Sequence, residues 1–256
     1  MLRLRNAVMG LGTIEDERAL KLTAIKKSKM VNKIGTMLAL SIITSFSVLA
    51  QQTTMELDRF NELKVYDRIE VTLVKSSENK AVISGDEQDG VSIVNDNGLL
   101  KIRMDLDEFL DGNKTNVALY YTDELSLVDA NEGAKITSEG ALKNKYLKLR
   151  SQEGAQLHIS VDARNLDAKA ISGGRIWVTG KAPNQEAAVR SGGEYHAKDL
   201  SSNQTEVTVF AGGKAFVNSR EYVEANVTAG GTIEIYGNPE KVDEDKTFGG
   251  SIIMRH

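Results

Sequence analysis

The chain has 256 residues, room for one large or two small domains, with 32 basic and 36 acidic side chains, 22 glycines, 3 histidines and no cysteine. The missing cysteine excludes disulfides, a thiolate nucleophile and lipid attachment through a thiol. Beyond residue 50 the balance is 24 basic against 33 acidic, a net charge near −9, which argues against nucleic acid or anionic lipid as a partner.

Residues 1–29 are an extra charged segment, with Thr13 placed to cap a helix that would reach Lys27. Translation starting at Met30 or Met37 would remove it, and otherwise it is a long n-region. Met30 to Lys33 is a short basic start, and Ile34 to Ala50 follows as 17 residues without a charge. Val48-Leu49-Ala50 ahead of Gln51 has the small-residue form of a cleavage site, so residues 30–50 read as a secretory signal peptide. A transmembrane anchor is the alternative, but a spanning helix needs about 20 apolar residues. On the signal-peptide reading the mature chain starts at 51, carries no transmembrane helix, and is exported to the periplasm, the outer surface or the medium.

Residues 51–130 are strand-rich without a fixed step. Period-two alternation marks Leu63–Tyr66, Ile69–Lys75, Lys80–Ser84, Val91–Asn95, Leu99–Met104, Asn116–Tyr121 and Leu125–Asp129. Asn97-Gly98 is a strong hairpin dipeptide between two of them. This segment is either a sandwich-like cap or the first irregular part of the body that follows, and one continuous body is the expectation.

Residues 131–256 are a repeat. Gly133-Ala134, Gly154-Ala155, Gly173-Gly174, Gly192-Gly193, Gly212-Gly213, Gly230-Gly231 and Gly249-Gly250 recur at steps of 21, 19, 19, 20, 18 and 19 residues. A fixed step of about 20 residues marks a solenoid whose rungs bury their apolar sides on one another. Three residues after each first Gly stand Ile136, Leu157, Ile176, Tyr195, Ala215, Ile233 and Ile252, and two further on a second aliphatic column begins. A second strand precedes each dipeptide, with columns such as Leu149, Ala168, Ala187, Val207 and Ala225. Helical repeats need longer periods, and the leucine-rich pattern is absent. The expected fold is therefore all-β: a right-handed parallel β-helix with a less regular, strand-rich N-terminal part. Glu244 and Lys246 replace aliphatics in the last rung, which reads as a cap.

Stacking at about 4.8 Å turns matching positions into surface stripes. Four residues after each first Gly, between two inward columns, stand His158, Trp177, His196 and Phe216. Such a line of rings suits sugar rings or a protein partner, unless another segment of the chain covers it. Six residues before each Gly stand Asp167, Glu186, Glu206, Glu224 and Asp243. Neighbouring carboxylates repel, and a stripe of them would either stay solvated or collect Ca²⁺, which takes several carboxylate oxygens. Asp105, Asp107 and Asp111 fail the EF-hand spacing and read as a polar loop. Zinc spacing, nucleophile-elbow, P-loop and dinucleotide motifs are all lacking.

Several stretches in combination resemble the putative auto-transporter adhesin, head GIN domain family, common among exported proteins of Bacteroidetes. They are Ile69-Glu70-Val71-Thr72-Leu73-Val74, Ile83-Ser84-Gly85-Asp86, Asn97-Gly98-Leu99-Leu100-Lys101-Ile102, the serial small corners, and Tyr236-Gly237-Asn238-Pro239 ahead of Gly249-Gly250-Ser251-Ile252. The resemblance covers about residues 60–256. Family members often carry Gly-Ser-Gly corners where this chain has Gly-Gly or Gly-Ala. The resemblance implies an exported adhesin-like module and brings no catalytic residues. Three functions follow as expectations. The first is a non-catalytic surface module binding a glycan or a protein along one face, with no cofactor beyond Ca²⁺. The second is a polysaccharide lyase or hydrolase, which would need paired carboxylates across a cleft. The third is an envelope scaffold that self-associates through its end rungs.

Overall fold

The computed structural model describes residues 52–85, 88–105 and 115–255. The expected leader, the segment before it, and Asp107 and Asp111 lie outside the described residues. Twenty strands follow one another among those described. They are β1 (Gln52–Glu56), β2 (Glu62–Val65), β3 (Glu70–Lys75), β4 (Lys80–Gly85), β5 (Val91–Asp96), β6 (Leu99–Met104) and β7 (Thr115–Tyr121). Next come β8 (Leu127–Ala130), β9 (Lys135–Gln152), β10 (Gln156–Ile171), β11 (Arg175–Lys181), β12 (Asn184–Arg190), β13 (Glu194–Ala197) and β14 (Leu200–Ser201). The last are β15 (Gln204–Phe210), β16 (Lys214–Asn218), β17 (Tyr222–Thr228), β18 (Thr232–Tyr236), β19 (Lys241–Thr247) and β20 (Ser251–Met254).

The expected parallel β-helix is the fold. Its rungs build two ladders that face each other across a thin core. One ladder stacks β3, the first half of β9, the first half of β10, β11, β13, β16, β18 and β20, all parallel. The other stacks β2, β8, the second halves of β9 and β10, then β12, β15, β17 and β19. β9 and β10 are long because each runs through the second corner of its rung without a break. Ile136, Leu157, Ile176, Tyr195, Ala215, Ile233 and Ile252 are vertical neighbours as the repeat predicts, and all but Ile252 are buried. Each buried aliphatic contributes roughly 1.5–3 kcal/mol, and the buried apolar side chains form one continuous core through the stack.

Departures from the 19-residue step sit at particular loops. The 21-residue step arises where the pairing jumps from His158↔Thr137 to Ser160↔Ala141, so two extra residues bulge out between Thr137 and Ala141. The 20-residue step adds one residue between Ala197 and Leu200, since β11 pairs β13 at one offset and β14 at the next. The bulge interrupts the second inward column, where buried Ile159 has no register partner in β9 and Ser138 is only half-buried, while the column of Ile136 and Leu157 runs on unbroken.

The N-terminal part does not simply precede the repeat. β2 and β3 form a rung in the middle of the stack, with β8 and β9 on one side of them and β6 and β7 on the other, all parallel. Beyond β6 lies β5, and beyond β7 lie β4 and then β1, all antiparallel. Asn97-Gly98 makes the expected β5–β6 hairpin, both residues at positive φ (51° and 92°). The chain therefore starts inside the body, builds the capping strands outward, and returns to begin the regular rungs.

At the other end, Glu244 and Lys246 occupy the positions that hold Ala225 and Val227 one rung earlier. They are exposed and pair with each other at 3.2 Å. Charges on an edge strand discourage further strand pairing, which weighs against growth through this end.

Candidate functional site

Alternation in β11 and its neighbours turns residues at even offsets outward, and the ladder places those residues one above another. His158 and Trp177 stack with ring centroids 4.4 Å apart and planes 4° from parallel. Trp177 and His196 stack at 5.0 Å and 6°, and His196 and Phe216 at 4.8 Å and 12°. The structure thus brings all four candidate residues into one column. It also shows something adjacency alone does not: each ring faces its neighbour. All but the two end faces are spent inside the stack, and the ring edges, carbon at Trp177 and Phe216 and partly nitrogen at the two histidines, form a half-buried ridge toward solvent. His196 Nε2 lies 3.0 Å from Glu194 Oε2, and Glu194 is 3.9 Å from Lys214 Nζ, so charged groups flank the ridge. Below Phe216 in register stands Glu234, held by Arg255 through bonds of 2.8 and 2.9 Å and by the Tyr236 hydroxyl at 2.9 Å. Those donors keep the Glu234 carboxyl below the usual range, the Arg255 hydrogen bond chief among them.

Burial, then the charges of Lys135 and His196, holds the His158 imidazole below its ordinary value. Its folded pKa is therefore lower than its unfolded one, so the unfolded chain takes the proton first. The stabilisation is complete above about pH 6.5 and is lost as pH falls through the depressed value. His158→Phe keeps a ring in the stack and removes the titration. We expect the melting temperature of wild type to fall relative to that variant on acidification below about pH 6.5. Parallel melting curves across that range would contradict the assignment.

The opposite ladder carries the acidic column. Asp167, Glu186, Glu206, Glu224 and Asp243 are direct neighbours in successive rungs. Its ends are neutralised: Asp167 pairs with Arg150, and Asp243 with Lys241 at 2.7 Å and the Tyr222 hydroxyl at 2.9 Å. Among the described residues no basic group pairs with Glu186, Glu206 or Glu224. Burial, then the charges of Glu186 and Glu224, raises the Glu206 carboxyl above its ordinary value. The acids stand one per rung, and among the described residues no three carboxylate or imidazole groups converge as a metal site would require.

Beside that column lies a groove of about 430 Å³. Its floor is a third outward column, Asn165, Asn184 and Gln204, with Tyr146 one rung before and Tyr222 one rung after. Asn184 donates to Asn165 Oδ1 at 3.1 Å, and Asn165 donates to the Lys145 carbonyl at 3.4 Å. Sequence reasoning missed this site. The column lies eight residues before each Gly, two before the acids, and its mixture of Tyr, Asn and Gln shares no residue type that would draw attention.

Residues 59–239 match the family model described as putative auto-transporter adhesin, head GIN domain. The chain belongs to that family. Solved structures share the fold of this head GIN domain. A putative adhesin from Bacteroides fragilis superposes with TM-score 0.69 at 17% identity, over 80% of this chain and 96% of that one. A putative adhesin from Parabacteroides merdae gives 0.63 at 16%, over 80% and 96%. A protein from Parabacteroides distasonis described as a putative lipid binding protein gives 0.58 at 15%, over 80% and 93%. No curated protein matches the sequence. The match covers the ring stack, the groove and all of the acidic column but Asp243, and no helix among the described residues is long and apolar enough to cross a membrane.

Proposed function

We propose that this head GIN domain is an exported, non-catalytic, adhesin-like module that meets a glycan or protein partner along the ladder carrying His158, Trp177, His196 and Phe216. The stack of four rings on a solvent-facing sheet carries the reading, because aromatic side chains gathered in one line, rather than scattered singly, are the usual mark of a contact site. Its geometry favours a protein over a sugar. A sugar packs on a free ring face, and here all but the two end faces are occupied by neighbouring rings, with Thr137 and Glu234 next in register beyond them. The Trp177 and Phe216 edges, with the His196–Glu194 pair and Lys214 beside them, form an apolar centre with a charged rim, as protein interfaces do. The adhesin description of the family supports a binding role, and that role together with the leader-like residues 30–50 supports export.

The test is binding to arrays of extracellular proteins and of glycans, with and without Ca²⁺, by wild type and Trp177→Ala. Trp is enriched at interface hot spots, whose truncation costs about 2 kcal/mol or more, about 30-fold in affinity. We expect at least tenfold weaker binding with the far-ultraviolet spectrum unchanged. Equal binding by both proteins would remove the ridge from the mechanism. Depolymerisation of a polysaccharide would replace the reading with an enzymatic one, and loss of binding on Ca²⁺ chelation would give the acidic column a role.

A further inference from the structure

The ridge and the groove lie on opposite ladders, as the hydrogen bond from Tyr195 to Gln185 across the core shows. A partner on one face leaves the other free. We infer that the groove is a second binding site, and that it takes an extended oligosaccharide without acidic groups.

The shape comes first. A sheet surface is flat unless its columns differ in height, and here the short amides of Asn165, Asn184 and Gln204 run between the larger Tyr146 and Tyr222. The tyrosines stand four rungs apart, roughly 19 Å at the strand spacing, which sets the length of the trough. A volume of about 430 Å³ falls within the range of small-ligand sites.

The chemistry is that of side chains alone. Backbone groups beneath the floor are spent in the parallel ladder, so a peptide cannot add itself as a strand here. What remains is a mixed set of donors and acceptors. Among the described residues the Gln204 side-chain amide has no hydrogen-bond partner, and the carboxylates of Glu186 and Glu206 have none from a cation. Asp167, which also lines the groove, keeps a shielded oxygen Oδ1 that accepts no bond. Hydroxyl-rich chains can donate to carboxylates and accept from amides at successive rungs. Tyr146 is 59% exposed and offers a ring at the mouth, with the Lys145 ammonium over one face at 5.5 Å from the centroid and the other face left for a sugar. The wall of Glu186, Glu206 and Glu224 sets the charge rule: Lys148 beside Asp167, toward the Tyr146 end, is the one basic side chain among the described residues that line the groove, so a uronic or sulfated chain would meet three carboxylates in a row and be repelled.

The experiment is amide-resolved titration of the protein with neutral pentasaccharides of glucose, mannose and N-acetylglucosamine, with a polyuronide oligomer and oligolysine as contrasts. We expect a neutral oligomer to shift the resonances of Asn165, Asn184, Gln204 and Tyr146, and the polyuronide to shift none. Tyr146→Ala and Gln204→Ala, both at exposed positions, should each weaken binding at least fivefold. Silence toward every neutral oligomer would overturn the inference and leave the ridge reading standing. Shifts centred on Trp177 and Phe216 would move glycan binding to the ridge. Salt-sensitive binding of oligolysine alone would show an acidic face for cations instead.

Discussion

Gly174→Ala should destabilise the domain by on the order of 3 kcal/mol, far more than the same change one residue earlier. A Cβ at Gly174 would stand 2.1 Å from the Ser151 carbonyl oxygen and 2.4 Å from its carbon, both backbone atoms of the preceding rung. Backbone there is held by the ladder, so the clash cannot be relieved by turning a side chain. Gly173 is different. It needs φ of +75°, but nothing lies within 4 Å of a Cβ built on it. Its replacement by Ala meets only the cost of a left-handed residue, about 1–2 kcal/mol. The two glycines of the corner therefore have separate jobs, conformation at the first and room at the second. At roughly 2–4 °C per kcal/mol for a domain this size, thermal melts of the two variants would separate clearly. Equal losses would mean that φ rather than space governs the corner.

The corners also show where sequence reading stops. The residue before each first Gly is left-handed as well: Glu132, Glu153, Ser172, Ser191, Ala211, Ala229 and Phe248 have φ between 50° and 57°. The turn is thus a left-handed pair closed by a hydrogen bond such as Gly174 N–H to the Ile171 carbonyl at 2.9 Å. Nothing in Glu, Ser, Ala and Phe announces that role, because their shared property is a backbone angle imposed by the ladder. Ile176, Tyr195 and Ile233 were legible as vertical neighbours because alternation and the fixed step both point to them. The ring column was legible for the same reason, but its face-to-face stacking depends on side-chain torsions that no register reveals. β4 and β7 alternate like any rung strand, so their antiparallel pairing, and the return of the chain past β2 and β3, leave no mark in the pattern.

Gln185→Leu offers the second large effect, because it removes the hub of a polar cluster inside an aliphatic core. The rungs before it carry Leu147 and Leu166 at this position, so Leu fits the column. Gln185, however, accepts from the Tyr195 hydroxyl at 3.1 Å and donates to Ser202 at 2.7 Å, Thr205 at 2.9 Å and the Asn218 carbonyl at 3.0 Å. All four side chains are at most 3% exposed, and burial drives the Tyr195 phenol far above its ordinary value. Leucine would strand the Tyr195 hydroxyl in a dry core, and an unpaired buried polar group costs about 1–3 kcal/mol. Ser202 and Thr205 lie 3.1 Å apart and can still serve each other. The penalty therefore falls mainly on Tyr195, and adding Tyr195→Phe should return much of it, since removing both partners is close to neutral. A double-mutant cycle in urea measures this directly. If Tyr195→Phe worsened the Gln185→Leu protein instead of rescuing it, the cluster would be holding the rungs together through more than this one bond.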